Sequence, residues 1–351
     1  MNADEALAKL RDTPPGALEG VLEQLDLERT VELIAGNAIV GLFRGDERRA
    51  LVQLLCIDRV DELSPATRAR IVHALRRLPL SAIISRGIRS TLLSLTGEPF
   101  RDMKYLLNAT GDRHDLEHVV YERLTADDRE AVLAHIAAEA ADAPSHDLRI
   151  LCDIDDTIKA MLHDSRYPRG TVYPGVIELL KALDKGRAAQ PSRPGDLTFV
   201  TARPEGPKGL IEQYTRNGLS GLGLPPHAVL GGSIFNLFTK KSIKARKLQN
   251  FERERSLFPE CRFVFLGDSG QADAHVGAEM LRRGPDFVVA VLIHEVVEVT
   301  GALRARLEAA GIRFHTAYDD AARIMHRLDL IDTAGRDSVV RAVDEASGMM
   351  T

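Results

Sequence analysis

The sequence has few cysteines, only Cys56, Cys152 and Cys261, and their odd number and wide spacing exclude a disulfide framework and a zinc-finger arrangement. Cys152 lies inside an apolar run and Cys261 just ahead of one, the places of small buried hydrophobes in a reducing compartment. Long hydrophobic runs are missing as well. The longest purely apolar stretches, such as 287–293, are strand length and far short of the roughly 20 residues a bilayer-spanning helix needs. The opening stretch MNADEALAKLRD is amphipathic and charged and lacks the apolar segment of a secretory signal. There is no excess of positive charge. The formal net charge of -5 gives no support for a nucleic-acid partner. These absences lead to the expectation of a cytoplasmic protein that meets a membrane, if at all, only from its surface.

What is present divides the 351 residues in two. The first part reads as helices joined by short loops. LERTVELIAG, DERRALVQLLC and SPATRARIVHALRRL place apolar residues three and four apart. Ser64 before Pro65 reads as an N-cap followed by proline at the first helical position, and Thr125 is a capping candidate for DREAVLAHIAAEA. The small, polar segment AADAPSHD, residues 140–147, marks the boundary, giving an all-α N-terminal domain over 1–145 and a second domain over 146–351. Beyond it, strands alternate with helices. LRILCDID, DLTFVTA, AVLGG, RFVFLGD, FVVAVLIHE and GIRFHTA read as strands, separated by PGVIELLKALDKG, KGLIEQYTRNG and the charged KKSIKARKLQNFERER as helices. That alternation predicts the α/β class: a Rossmann-like parallel sheet with helices on both faces. Catalytic groups in such sheets gather at the carboxyl ends of the strands.

Three strand ends carry groups suited to phosphate chemistry. The first is Asp153-Ile154-Asp155-Asp156-Thr157, the second Thr201-Ala202-Arg203-Pro204, and the third Gly267-Asp268-Ser269-Gly270-Gln271-Ala272-Asp273. Taken singly, an acidic pair after a strand is as often a turn former as a catalyst. Together and in this order they resemble the motifs of the haloacid dehalogenase superfamily of aspartyl-phosphate phosphatases: Asp153, Asp155 and Thr157 at the DxDxT positions, Thr201 as the lone hydroxyl residue, and Asp268 and Asp273 as GDxxxxD. The resemblance extends over about 147–330. Within it, DIDDTIK, GDSGQ with its following aspartate, and FP ahead of FVFLGD resemble the catalytic domain of the actin-patch-type phosphatidate phosphatases, a lipin-related group. Lys247 then occupies the place of that family's lysine, with Lys244 of the same charged run as the alternative. The chain departs from the family after the second motif, with Arg203-Pro204-Glu205 where Ser-Pro and an aromatic are usual, which bears on lipid specificity rather than on phosphatase chemistry.

The chemistry assigns roles. Asp153 at the strand end is the nucleophile, forming an acyl-phosphate. Asp155 protonates the departing alcohol and then takes a proton from water. Lys247 and Thr201 bind the transferring phosphoryl oxygens. Mg²⁺ is expected between Asp153, Asp268 and the Asp155 carbonyl, with Asp273 orienting its waters or holding Lys247. Thr157, Lys159 and Arg203 are substrate-side candidates, with plain surface charge as the alternative for Lys159 and Arg203. Asp156 reads as a loop-ordering carboxylate. His163, His227 and His294 have no ligand spacing and read as ordinary structural or surface histidines. The intervals 157–201 and 203–247 leave no room for a large cap, so the resemblance implies an uncapped enzyme. SRYPRGTVY, residues 165–173, is a candidate for a small lid, its two arginines and two tyrosines either meeting a headgroup or lying exposed. The function expected is Mg²⁺-dependent hydrolysis of a phosphatidate-type lipid phosphate. The alternatives are a phosphatase of soluble phosphomonoesters or phosphorylated macromolecules, and a non-catalytic scaffold.

Overall fold

In a computed structural model of the chain, the described residues are 2–36, 45–109, 116–141, 147–186, 196–204, 218–219, 221–232 and 240–348, the side chains of 201–204, 231–232 and 240–243 excepted. The chain divides into two compact units, with the changeover between Ala143 and Pro144.

Among the described residues the first unit is helical throughout: α1 (Ala3–Asp12), α2 (Leu18–Glu23), α3 (Leu27–Ala35), α4 (Gly45–Gln53), α5 (Pro65–Arg76), α6 (Ala82–Leu93), α7 (Gly97–Asn108), α8 (Leu116–Glu122) and α9 (Ala126–Ala141). The caps read from sequence are in place. The Ser64 hydroxyl accepts the Thr67 amide at 3.1 Å, with Pro65 opening α5. Thr125 accepts the Asp128 amide at 3.4 Å ahead of α9. Apolar stripes such as Leu27, Val31, Ile34 and Ala35 on α3 and Ile71, Val72, Ala74 and Leu75 on α5 are buried, so the unit has a core of its own.

The second unit is built on six parallel strands, β1 (Leu148–Cys152), β2 (Leu197–Pro204), β3 (His227–Gly232), β4 (Arg262–Asp268), β5 (Val288–His294) and β6 (Ile312–His315), in the order β3-β2-β1-β4-β5-β6. These are the six segments expected from sequence. The helices are α10 (Val176–Lys185), α11 (Lys240–Leu257), α12 (Asp273–Arg283), α13 (Gly301–Ala309), α14 (Tyr318–Arg327) and α15 (Thr333–Gly348). The expected helix KGLIEQYTRNG lies outside the described residues but for its last position.

β1 explains why both sheet faces are covered. Side chains alternate across a strand. Leu148, Ile150 and Cys152 join the core formed with Leu179, Leu180 and Leu183 of α10 and Met325 of α14. Arg149 points the other way and ion-pairs with Glu254 of α11 at 2.9 Å while lying 3.5 Å from the Phe258 ring centroid. The strand therefore has no solvent face and reads as an unbroken apolar run apart from this one paired charge. β1 and β4 run side by side in register, Cys152 beside Leu266, and the strand order reverses direction between them. That switch point is where a crevice opens beyond the strand ends in doubly wound sheets.

Candidate active site

The first acidic segment and the GDSGQ segment leave these two neighbouring strands at the same level. The Asp153 amide donates to the Leu266 carbonyl at 2.9 Å, so the sheet ladder itself fixes Asp153 beside the end of β4. Asp268 is the last residue of β4, and Asp273 opens α12 five residues later. One oxygen from each of Asp153, Asp268 and Asp273 lies within 4.8 Å of the others, and all three residues are buried. Gly267 permits this closeness, because a Cβ there would sit 2.6 Å from the Asp273 side chain.

Lys247 reaches the cluster from α11. Its Nζ donates to Asp153 Oδ1 at 2.8 Å and to Asp273 Oδ1 at 2.5 Å, with the lysine buried. One ammonium thus serves two carboxylates of a three-carboxylate cluster. Burial would lower the Lys247 pKa, but Asp153 and Asp273 more than offset it and raise it. The charge that remains appears on the acids. Burial pushes Asp153 up to about 7 despite Lys247, with Asp273 adding repulsion. Burial first and then Asp273 and Asp153 push Asp268 up to about 9. Among the described residues Asp153 Oδ2 is buried with no hydrogen-bond partner. Asp268 Oδ1 accepts the Gly270 and Gln271 amides at 2.6 and 3.1 Å, whereas among the same residues its Oδ2 has only the Gln271 amide group at 3.4 Å. Asp273 differs. Its Oδ1 is taken by Lys247 and its Oδ2 faces the Asp268 amide at 3.4 Å. An orphaned carboxylate oxygen beside an under-satisfied one, in an oxygen-only donor set, fits a small hard cation.

A second grouping, Asp156, His163 and Asp268, also lies within 4.8 Å. Its chemistry is different. Asp156 Oδ1 accepts the Met161 and Leu162 amides at 2.7 and 3.0 Å, and Oδ2 accepts the His163 amide at 2.8 Å and its ring Nδ1 at 3.0 Å. Burial alone would raise this acid, but these donors more than offset it and hold it below the ordinary carboxylate value. Its lone pairs are occupied by N–H groups, so Asp156 organises a loop, consistent with its left-handed backbone at φ 59°.

That loop is firmly pinned. Lys159 bridges to Val172 in antiparallel fashion, and the Tyr173 amide donates to the Ile158 carbonyl at 2.9 Å. Asp164 accepts the Arg166 guanidinium at 2.8 and 2.9 Å and the Tyr173 hydroxyl at 2.9 Å. His294, at the end of β5, lies against the Asp156 carbonyl at 3.0 Å through Nδ1 and against Arg166 at 3.2 Å through Nε2. A carbonyl only accepts and a guanidinium only donates, which fixes the proton on Nδ1. The lid read into 165–173 is therefore corrected in part. Arg166 and Tyr173 are spent on internal pairing, Tyr173 is buried, and Tyr167 packs edge-on against it at 5.3 Å.

The other sequence candidates fall as follows. Asp155 is half-buried immediately after Asp153 and Ile154, and its backbone bridges to Lys159. The Thr157 hydroxyl is buried without a partner among the described residues, and its carbonyl accepts the Tyr318 hydroxyl. Lys159 is half-buried on the same loop. Thr201 and Arg203 lie on β2, but their side chains are outside what is described. His227 is a structural histidine bonded to the Pro225 carbonyl at 2.8 Å. His163 stands at the edge of the acidic cluster, and no spacing in the sequence signals it.

Residues 148–295 match the family model described as phosphatidate phosphatase APP1, catalytic domain. This part of the chain is an APP1-type catalytic domain. Its span holds every acidic residue of the cluster, Lys247 and the whole pinned loop. The match indicates that this domain is a phosphoric monoester hydrolase of the phosphatidate phosphatase type. No curated protein and no solved structure matches the chain.

Proposed function

We propose that the chain hydrolyses a phosphatidate-type lipid phosphate through an aspartyl-phosphate on Asp153, with Mg²⁺ held by Asp153 and Asp268. The observation that carries this reading is the pairing of a buried, unpartnered Asp153 oxygen with the under-satisfied Asp268 carboxylate, beside a buried lysine. The APP1-type domain supplies the substrate class.

Asp153 attacks phosphorus in line with the ester oxygen, and the P–O bond to the alcohol breaks as the acyl-phosphate bond forms. Asp155, two residues along the same strand end, gives its proton to the departing alkoxide. It then accepts one from the water that cleaves the acyl-phosphate, which regenerates Asp153 and releases inorganic phosphate. Lys247 and Thr201 neutralise the phosphoryl oxygens. Bound magnesium supplies charge neutralisation to the same oxygens. Asp273 holds Lys247 in place, since both its oxygens already have donors. Thr157, Lys159 and Arg203 complete the substrate side.

The protein would work from the aqueous side of a lipid surface. No helix among the described residues is long and apolar enough to cross a membrane. One observation favours a second reading, a soluble phosphomonoester: Arg203-Pro204-Glu205 departs from the family pattern beside Thr201. The test is purified protein with Mg²⁺ offered phosphatidate in mixed micelles beside a panel of soluble phosphate esters. Phosphate release confined to micelles is the expected result. Release from soluble esters alone assigns the second reading, and no release from any ester leaves a non-catalytic scaffold.

A further inference from the structure

His163 is held in a way that a merely structural histidine does not require. Its backbone amide and its ring Nδ1 both bond to Asp156 Oδ2, at 2.8 and 3.0 Å. A carboxylate that already collects backbone N–H groups acts as an acceptor, so Nδ1 carries the hydrogen. The ring packs against Gly270, where a Cβ would come within 2.7 Å of His163 Cγ and Nδ1 and 3.1 Å of Asp268 Oδ1. The same Gly270 amide caps Asp268. The ring is thus fixed at one nitrogen and against Gly270, yet its side chain is 38% exposed. Nε2 has no hydrogen-bond partner among the described residues. Leu162, whose amide is also held by Asp156, is 58% exposed next to it. A polar atom and an apolar side chain are therefore presented together, on a locked backbone, at the rim beside Asp268.

We infer that His163 is a substrate-contacting residue whose Nε2 accepts from a hydroxyl next to the phosphoester on the alcohol side of the substrate, with Leu162 against the apolar body beyond. This rests on the proposed phosphatase reading. A phosphoryl group bound at Asp153 and Asp268 must send its leaving alcohol away from the nucleophile. We place that path on the exposed side of the cluster, past His163, which lies within 4.8 Å of Asp268. A preorganised first contact on that path discriminates among alcohols more than it changes chemistry on the phosphoryl group. The alcohol it fits has a hydrogen-bond donor, a hydroxyl, one or two carbons from the ester oxygen and apolar mass further out, as a monoacylated glycerol has.

Two substitutions separate this contact from loop ordering. In His163→Asn the amide nitrogen lies near the place of Nδ1 and keeps the bond to Asp156, while nothing occupies the place of Nε2. In His163→Gln the amide reaches toward the Nε2 position and the bond to Asp156 is lost. With the full chain and Mg²⁺, kcat/KM is measured on micellar monoacylglycerol 3-phosphate, glycerol 3-phosphate and 4-nitrophenyl phosphate, and the ratio of each glycerol ester to the aryl ester is compared. His163→Asn should lower that ratio about tenfold for at least one glycerol ester, the loss of one well-placed hydrogen bond, and His163→Gln should recover part of it. The two glycerol arms show whether the polar group belongs to a lipid or to a soluble ester. A ratio unchanged in His163→Asn overturns the inference, whatever the absolute rate. Wild-type protein that turns over none of the three overturns the phosphatase reading and this inference with it.

Discussion

Asp153 is caught between two demands at the scale of a single side chain. It is buried at the end of β1, which favours its neutral form, and it faces Lys247, which favours the charged one. Asn is nearly isosteric and can still accept from Lys247, but it is a very poor nucleophile. Asp153→Asn should therefore lose phosphate release by about a thousandfold or more while melting no lower than the wild type above neutral pH, measured by phosphate assay and thermal unfolding. Activity within a few-fold of wild type would remove Asp153 from the nucleophile's place. Lys247 should behave in the opposite way. Its removal leaves Asp153, Asp268 and Asp273 crowded without a buried cation, so Lys247→Met should cost roughly 3–5 kcal/mol of stability as well as activity. Chemical denaturation reads the first and turnover the second. A fully stable Lys247→Met protein would mean that the cluster is neutral without its lysine.

The element that decides how the site is presented is the loop from 154 to 173. One carboxylate, Asp156, gathers three successive amides and a histidine ring. Asp156→Ala would leave those donors without their anion and should lower stability by about 2–3 kcal/mol, with protease sensitivity appearing near Met161. Beneath the loop, His294 stacks on His315 at 5.2 Å. Burial, with His294 adding to it, pushes His315 down to about 3 from 6.5. Between those two values the unfolded chain binds a proton that the folded one refuses. The stability His315 contributes is thus present above about pH 6.5 and is lost as pH falls toward 3. Across that window the melting temperature of the wild type should rise more with pH, or fall less, than that of His315→Phe. An unchanged slope would place the acid-sensitive group elsewhere.

At the scale of the whole molecule, the acidic cluster sets a second pH dependence of the reverse sign. Asp153 and Asp268 have folded pKa values near 7 and 9, above the unfolded value of 3.8. The folded metal-free protein holds their protons longer, so this contribution is present below about pH 4 and disappears as pH rises through 7 and 9. A divalent cation supplies the missing charge. Mg²⁺ should therefore raise the melting temperature more at pH 8 than at pH 5, EDTA should reverse the effect, and beryllium fluoride should inhibit turnover by imitating the aspartyl-phosphate. Equal melting curves with and without Mg²⁺ at pH 8 would exclude the cation site. Because the cluster, Lys247 and the pinned loop all lie beyond Pro144, a chain beginning at Ala143 should still turn over a small soluble ester. A folded but inactive truncation would show that the first unit completes the site.

How much of this was legible in the sequence follows from range. β1 could be read because a strand covered on both faces must be apolar along its length, and the caps at Ser64 and Thr125 because an N-cap is satisfied within three residues. The acidic segments after β1 and β4 were legible for the same local reason, as strand ends followed by turns. The loop-ordering role of Asp156 was readable too, since all its donors lie within seven residues. What the sequence by itself determined was therefore the class of fold, the order of the motifs and the chemistry of their residues. Only the tertiary structure decided which of those residues share charge. That Lys247 serves Asp153 and Asp273 together depends on α11 crossing the sheet from 94 positions away. That Arg166 and Tyr173 are used internally depends on Asp164 and on His294, 128 residues from Arg166. That His163 leans on Gly270 depends on β1 lying beside β4. Pairings of that kind leave no periodicity in the chain, because they are fixed by strand order and register and not by spacing.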